Sequence, residues 1–106
     1  FLTEIRLCRM LLMRFSFAWS PEKARQNSAK HGVSFETAVS AFDDPFGVEW
    51  EDRGHGDYES RFVLLAHVKG RILVVVYTWR EDLIRLISAR LAEPFERRLY
   101  YDSNKK

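Results

Sequence analysis

The chain has little cysteine and no long apolar run. Its single cysteine, Cys8, can form neither an intrachain disulfide nor a cysteine-based zinc site, which favours a reducing compartment. No apolar run approaches the roughly 20 residues that cross a bilayer. The mildly apolar start is interrupted by Glu4, Arg6 and Arg9, unlike the apolar region of a signal peptide. These absences argue against secretion and membrane insertion and predict a cytoplasmic protein.

The chain does contain enough apolar surface for one core. It has 106 residues, 46% of them hydrophobic and 14% aromatic, which is typical of one compact domain and excludes disordered, collagen-like and repeat architectures. The first residue is Phe1, and methionines follow at Met10 and Met13. We therefore expect an extension or tail over residues 1–12, a single domain over residues 13–101 and a tail over residues 102–106.

Charge is unevenly distributed along the sequence. Residues 43–59 hold seven acidic residues and one basic residue, net −6, whereas the rest of the chain holds 16 basic and 8 acidic residues, net +8. Arginine accounts for 12 of the 17 basic residues, and a guanidinium binds phosphate through two hydrogen bonds without losing its charge. This segregation favours an anionic partner such as nucleic acid.

Helix and strand signals follow one another in an order typical of an α+β domain. Ser20-Pro21-Glu22 starts a helix that we expect to end at Lys30. Ser34 caps a second helix, whose apolar residues recur with a 3.6-residue period up to Phe42. Strands are predicted at residues 46–51, 59–68, 71–79 and 83–90, and a terminal helix from Pro94. The predicted fold has two N-terminal helices, a four-stranded antiparallel sheet and a C-terminal helix.

Two tight turns predict which strand residues lie side by side. The first hairpin places Glu59 opposite Arg80, and the second places Thr78 opposite Arg85. Since paired residues point to one side of a sheet, one face is expected to carry at one end Glu59, Arg61, Thr78, Arg80 and Arg85. Farther along, this face is apolar and includes Ile87. We expect the helix pair to cover one face and the terminal helix part of the other, which leaves the charged end open.

Like charges at one end of a sheet repel one another unless an anion lies between them. Phosphate fits this place, because RNA is cut without a metal when its 2′-hydroxyl attacks the adjacent phosphate while cations neutralise the developing charge. Arg61, Arg80 and Arg85 supply the cations. Glu59 is the candidate base, with His31 as the alternative, because a guanidinium is a poor proton acceptor. The competing interpretation is a surface ion pair of Glu59 with Arg80 beside two solvated arginines.

No metal site and no cofactor are predicted. His55 and His67 lack partners at metal-ligand spacing, and the sequence contains no nucleotide-binding or nucleophile-elbow motif. Trp50, Tyr77 and Trp79 are able to stack on nucleobases, although aromatic residues in strands more often belong to the core.

Several sequence blocks, taken together, resemble one protein family. The most specific are Lys30-His31-Gly32-Val33-Ser34-Phe35 and Arg85-Leu86-Ile87-Ser88-Ala89-Arg90, supported by Glu59-Ser60-Arg61-Phe62 and Val76-Tyr77-Thr78-Trp79-Arg80. Over residues 13–101 the sequence is similar to the BrnT family of ribonuclease toxins. The resemblance implies a RelE-like fold, RNA cleavage that stops translation in bacteria, and a BrnA-like, DNA-binding antitoxin that neutralises the toxin in a hetero-oligomer and represses the operon.

The resemblance also implies the site. The family's shared polar positions fall on Lys30, His31, Glu59, Arg61, Arg80, Arg85 and Arg90. Lys30, His31 and Arg90 are interpreted as supporting RNA contacts. Ser20 stands where an aspartate is usual, and either residue caps a helix. The predicted function is a metal-independent endoribonuclease toxin acting on RNA. The alternatives are a decayed toxin that only binds nucleic acid or antitoxin, and a protein-interaction scaffold.

Overall fold

The computed structural model describes residues 15–53 and 60–105. Its elements are strand β1 (Ser16–Ala18), helices α1 (Pro21–His31) and α2 (Phe35–Val39), strands β2 (Val48–Asp52), β3 (Arg61–Val68), β4 (Arg71–Arg80) and β5 (Leu83–Leu91), and helix α3 (Pro94–Ser103). Within those two ranges no helix is long and apolar enough to cross a membrane. The predicted α+β class is confirmed.

Over the described residues the sheet has five strands and is mixed, so the prediction of a four-stranded antiparallel sheet is wrong. The strand order is β1-β5-β4-β3-β2. Strand β1 runs parallel to β5, with Phe17 beside Ile84, whereas the other neighbours are antiparallel. The three residues of β1 are too few to show an alternating pattern, and their partner strand lies near the other end of the sequence. Local periodicity therefore does not reveal this strand.

The predicted hairpin registers are confirmed near the arginine-bearing end. Phe62 pairs with Tyr77 between β3 and β4, and Thr78 pairs with Arg85 between β4 and β5. Turn length alone is enough to give this result, because a two-residue connection fixes the pairing of the strands it joins.

A bulge then shifts the register farther along β5. It lies between Val76 and Tyr77, where Val76 pairs with Ser88. The expectation that Ile87 occupies this place on the sheet face is therefore wrong. A bulge places one extra residue on one of the two strands, and alternation cannot be extended across it.

Helices α1 and α2 cover one side of the sheet, here called the helix-pair face. Its fully buried side chains include Phe35, Leu64, Leu73, Tyr77 and Leu86. Aromatic rings meet edge to face in this layer, with 5.0 Å between the ring centroids of Phe42 and Tyr77. Burial of this apolar surface is the main force that holds the helices on the sheet.

Asn27 fastens α1 to β5. Its buried side-chain amide donates to the carbonyl oxygens of Ala89 at 2.8 Å and Val33 at 3.0 Å, and its carbonyl accepts from the Ala89 N–H at 3.1 Å. A buried amide satisfied on both sides fixes the position of the helix along the strand, because any slip would leave polar groups unpaired.

The second helix is shorter than predicted. Ser34 caps α2 as expected, since its Oγ accepts from the Thr37 N–H at 3.0 Å. The α-helix ends at Val39, however, and the chain continues as a 3₁₀ turn over Ser40–Asp43. The tighter turn still places Phe42 in the core of the helix-pair face, so the apolar period is read correctly although the helix type changes.

The other side of the sheet, here called the arginine face, is covered in part by α3. Tyr100 of this helix packs against an apolar group made of Val63, Leu65, Ile72, Val74 and Ala92. The Tyr100 hydroxyl donates to Asp44 Oδ2 at 2.6 Å. Burial raises the pKa of the Tyr100 phenol, and this hydrogen bond is the second largest cause of the rise. Coverage by the helix pair on one face and by the terminal helix on part of the other is thus confirmed.

Candidate functional site

Three arginines come together at one end of the arginine face, and we call Arg61, Arg80 and Arg85 the arginine cluster. Arg61 begins β3, Arg80 ends β4, and Arg85 lies on β5. Thr78 pairs with Arg85, and Arg80 is the next β4 residue on the same face. Diagonal neighbours of this kind lie about 7–8 Å apart, within reach of long side chains. Three adjacent strands therefore carry arginines at neighbouring positions on one face of the sheet.

A hydrogen bond fixes how the strands of the cluster meet. The Thr78 hydroxyl donates to the Ser60 carbonyl oxygen at 2.6 Å, and Thr78 is only 2% exposed. Ser60 immediately precedes Arg61, so this contact ties the start of β3 to the end of β4. The exposed Arg80 and the half-buried Arg61 are held on a defined backbone framework as a result.

The edge strand adds a carboxylate and an indole to the same face. Asp52 of β2 pairs with Arg61, and Trp50 pairs with Val63. A shallow pocket lies at the β4–β5 turn beside the cluster, lined by Ser16, Arg80, Glu81, Asp82 and Leu83. The end of the face that carries the arginines is thus open toward solvent, and it combines basic, acidic and aromatic side chains.

Arg90 occupies a different place on the arginine face. It pairs with Val74, and its guanidinium donates two hydrogen bonds to the Glu96 carboxylate, at 2.9 and 2.8 Å. These bonds raise the pKa of Arg90 and lower the pKa of Glu96. Glu96 also accepts from the Glu93 N–H at 2.8 Å and so caps the start of α3. Along β4, Val74 lies about 13 Å from Thr78 at the usual strand rise, so Arg90 stands apart from the arginine cluster.

Lys30 and His31 lie at the end of α1, which covers the helix-pair face. Lys30 is exposed and His31 is half-buried. Gly32 follows in the left-handed conformation, with φ of 71°, and closes the helix through its N–H to the Ser28 carbonyl oxygen. The sheet separates these two side chains from the arginine cluster. The structure therefore divides the predicted site residues into three groups: the cluster, the Arg90 ion pair, and the end of α1.

Glu59, the predicted base, lies outside the described residues, as do His55 and the extension over residues 1–12. The remaining aromatic candidates do separate. Tyr77 is 1% exposed, and Trp79 packs against the helix-pair core, whereas Trp50 is exposed.

Asp44 has a structural role that the sequence does not indicate. Besides the Tyr100 hydroxyl, the Asp44 carboxylate accepts from the backbone N–H groups of His67 at 2.8 Å and Phe46 at 2.9 Å. It therefore joins the 3₁₀ turn, β3 and α3. An aspartate just before a proline indicates a turn, but its distant partners leave no local signal. In residues 15–53 and 60–105 no group of three or more His, Cys, Asp or Glu side chains is arranged to hold a metal ion.

Chemically, the arginine cluster is suited to bind and neutralise a phosphate. Guanidinium groups offer forked donors that match phosphate oxygens, and fixed cations near a phosphate stabilise the charge that develops during its substitution. This is the charge stabilisation that the sequence interpretation requires.

Comparison with known proteins identifies the family of the chain. No curated protein matches the chain. A family model described as "Ribonuclease toxin, BrnT, of type II toxin-antitoxin system" matches residues 19–96, a range that begins just after β1, ends in the first turn of α3 and includes the whole arginine cluster. The predicted resemblance is confirmed, and the chain belongs to the BrnT family of ribonuclease toxins of type II toxin–antitoxin systems.

Proposed function

We propose that this toxin cuts RNA without a metal ion and uses the arginine cluster to neutralise the reacting phosphate. The observation that carries the proposal is that three adjacent strands bring arginines to one end of one sheet face. A guanidinium donates hydrogen bonds and has no lone pair for a metal ion, so charge stabilisation at this place comes from the side chains themselves.

The proposed reaction is a transesterification within the RNA. The 2′-oxygen gives its proton to a base and bonds to phosphorus, the bond from phosphorus to the 5′-oxygen breaks, and the leaving oxygen takes up a proton. The products end in a 2′,3′-cyclic phosphate and a 5′-hydroxyl. We propose Glu59 as the base or as a carboxylate that orients the arginines, and Lys30, His31 and Arg90 as supporting contacts. Support is strongest for the cluster, because these supporting contacts lie elsewhere on the fold.

The cellular role that we propose follows from family membership. By cleaving RNA the toxin stops translation in the bacterial cytoplasm. A BrnA-like antitoxin neutralises it in a hetero-oligomer, binds DNA and represses the shared operon. The domain, over residues 13–101, is proposed to be RelE-like. The antitoxin is expected to cover the arginine face, since an electropositive surface attracts an acidic partner.

The test of the reaction combines chelation with a matched pair of substitutions. Purified toxin is incubated with single-stranded RNA in excess EDTA, and the product ends are identified by mass spectrometry. We expect cleavage to persist with 2′,3′-cyclic phosphate ends. Arg80→Ala should slow cleavage about 10²- to 10³-fold, because removing one fixed electrostatic contact to the developing charge typically costs that much. Arg80→Lys should also be impaired, since an ammonium cannot reproduce the fork.

Arg71→Ala is the control, because Arg71 begins the same strand that Arg80 ends and is also exposed. It should leave both cleavage and growth arrest unchanged. Loss of cleavage on chelation with recovery in Mg²⁺ would overturn the mechanism, and full activity of Arg80→Ala would overturn the placement of the site. A wild-type protein that binds RNA but neither cuts it nor arrests growth would favour the binding module instead.

A further inference from the structure

Trp50 lies beside the arginine cluster, and the proposed phosphate chemistry gives it no part. It is on edge strand β2, its side chain shares the arginine face, and it is 38% exposed. Exposure of one large apolar side chain does not by itself mark a site. The position of the indole relative to the cluster is what matters here.

The strand register gives that position. Trp50 pairs with Val63, and Asp52 pairs with Arg61, so Trp50 and Arg61 are diagonal neighbours on one face, about 7–8 Å apart at their Cα atoms. The next residue on the far side of Val63 is Val76 on β4. Trp50 therefore lies beside the apolar residues Val63 and Val76, in the row next to that of Arg61.

An aromatic ring beside cationic groups is how proteins hold unpaired nucleotides. The cations contact the phosphate, and the ring stacks on the base, which every nucleobase allows because each has a flat π face. The other two aromatic candidates are unavailable for stacking, since Tyr77 is buried and Trp79 packs on the helix-pair face.

Resting on the proposed function, we infer that Trp50 stacks on an unpaired base next to the phosphate held by the arginine cluster. The substrate class that fits is single-stranded RNA, because a paired base inside a duplex cannot present its flat face to the indole. Since stacking tolerates any base, Trp50 sets the preference for unpaired RNA and the binding strength, and leaves base identity to other contacts.

The test measures binding of a short single-stranded RNA made uncleavable by 2′-O-methyl groups. Trp50→Ala should weaken binding about 5- to 150-fold, the range for loss of one stacked base, and Trp50→Phe should keep most of the affinity. The control is Phe95→Ala, because Phe95 is a more exposed aromatic residue, 59% exposed on α3, outside the arginine cluster. It should bind RNA as the wild type does.

A scan of single abasic nucleotides separates stacking from a structural role. For the wild type, removing the base at one position of the RNA should weaken binding as much as Trp50→Ala does. For Trp50→Ala, removing the same base should weaken binding no further. The same scan in wild type tests the inference even if Trp50→Ala fails to fold.

The inference is overturned if Trp50→Ala binds RNA with wild-type affinity, even if its binding to the antitoxin weakens. It is also overturned if Trp50→Ala lowers the affinity by the same factor whichever nucleotide of the RNA is abasic. Its failure differs from failure of the proposed function. If the toxin cleaves RNA in EDTA and Trp50→Ala binds RNA as the wild type does, only the stacking inference is overturned. If Trp50 stacks on RNA but the wild type does not cleave it, only the proposed reaction is overturned.

Discussion

The two faces of the sheet are made by the same strands and have opposite properties. On the helix-pair face, alternate residues of β4 such as Val75 and Tyr77 are sealed beneath α1 and α2. The other alternate residues of β4 lie on the arginine face. They are apolar where α3 covers them, and the last of them is the exposed Arg80. Residues that alternate along one strand thus face either the buried core or the proposed site, and neighbouring positions should respond to mutation in different ways.

The largest effect on stability should come from the helix-pair face. Phe35→Ala removes a ring that is 0% exposed and leaves a cavity, so we expect the free energy of unfolding to fall by about 3–5 kcal/mol. Urea denaturation followed by circular dichroism measures it. Phe95→Ala on the other face is the matched control, with an expected change within about 0.5 kcal/mol. Equal losses for both variants would abolish the contrast between the faces.

The next largest effect on stability should come from the ion pair between Arg90 and Glu96, on the part of the arginine face near α3. Because Arg90 lowers the pKa of Glu96, the pair stabilises the fold above the usual carboxyl pKa of 4.5 and this contribution is lost as pH falls through the lowered value. Glu96→Gln should cost on the order of 1 kcal/mol at pH 7, since Arg90 stays 36% exposed. Thermal midpoints from pH 7 to pH 3 measure the difference between the two proteins.

That difference should shrink as pH falls below 4.5, because the pair loses its contribution while the carboxyl of the folded wild type takes up a proton at its lowered pKa. Glu22→Gln, an exposed acid on α1, is the control. A gap that widens in acid would show that Arg90 is not the partner that stabilises ionised Glu96.

The smallest effect should come from the exposed start of α1. The Ser20 Oγ accepts from the Lys23 N–H at a long 3.3 Å, so Ser20→Ala should cost about 0.5 kcal/mol, at the low end for a lost cap. Ser20→Asp should recover it, because a carboxylate caps the helix and also interacts with its positive end. Denaturant midpoints of the three proteins measure both steps. A cost above about 2 kcal/mol would mean that Ser20 does more than cap.

Much of the site follows from the sequence because hairpin turns are local. The pairing of Thr78 with Arg85 needs only a turn length and alternation, and it brings two strands of the arginine cluster together. The prediction fails where the partner is remote. Strand β1 is three residues long and pairs with β5, and the bulge that inserts a residue near Val76 has no simple pattern.

Side-chain partners are the part of the structure that the sequence predicts least. The resemblance makes Arg90 an RNA contact, and the structure gives its guanidinium a partner in Glu96 across the boundary between β5 and α3. Lys30 and His31 rest on the same resemblance, and they lie on the other side of the sheet from the cluster. A sequence block that a family shares does not say whether its charged residues meet a ligand or one another.

The contact between Asn27 and Ala89 joins residues 62 positions apart, and it has a consequence for biosynthesis. The first helix of the domain can complete its polar contacts only after β5, the strand that also carries Arg85, has been translated. Contacts of such long range slow folding, because a large loop must close before they form. The proposed phosphate-binding surface is therefore completed only after most of the domain has been translated.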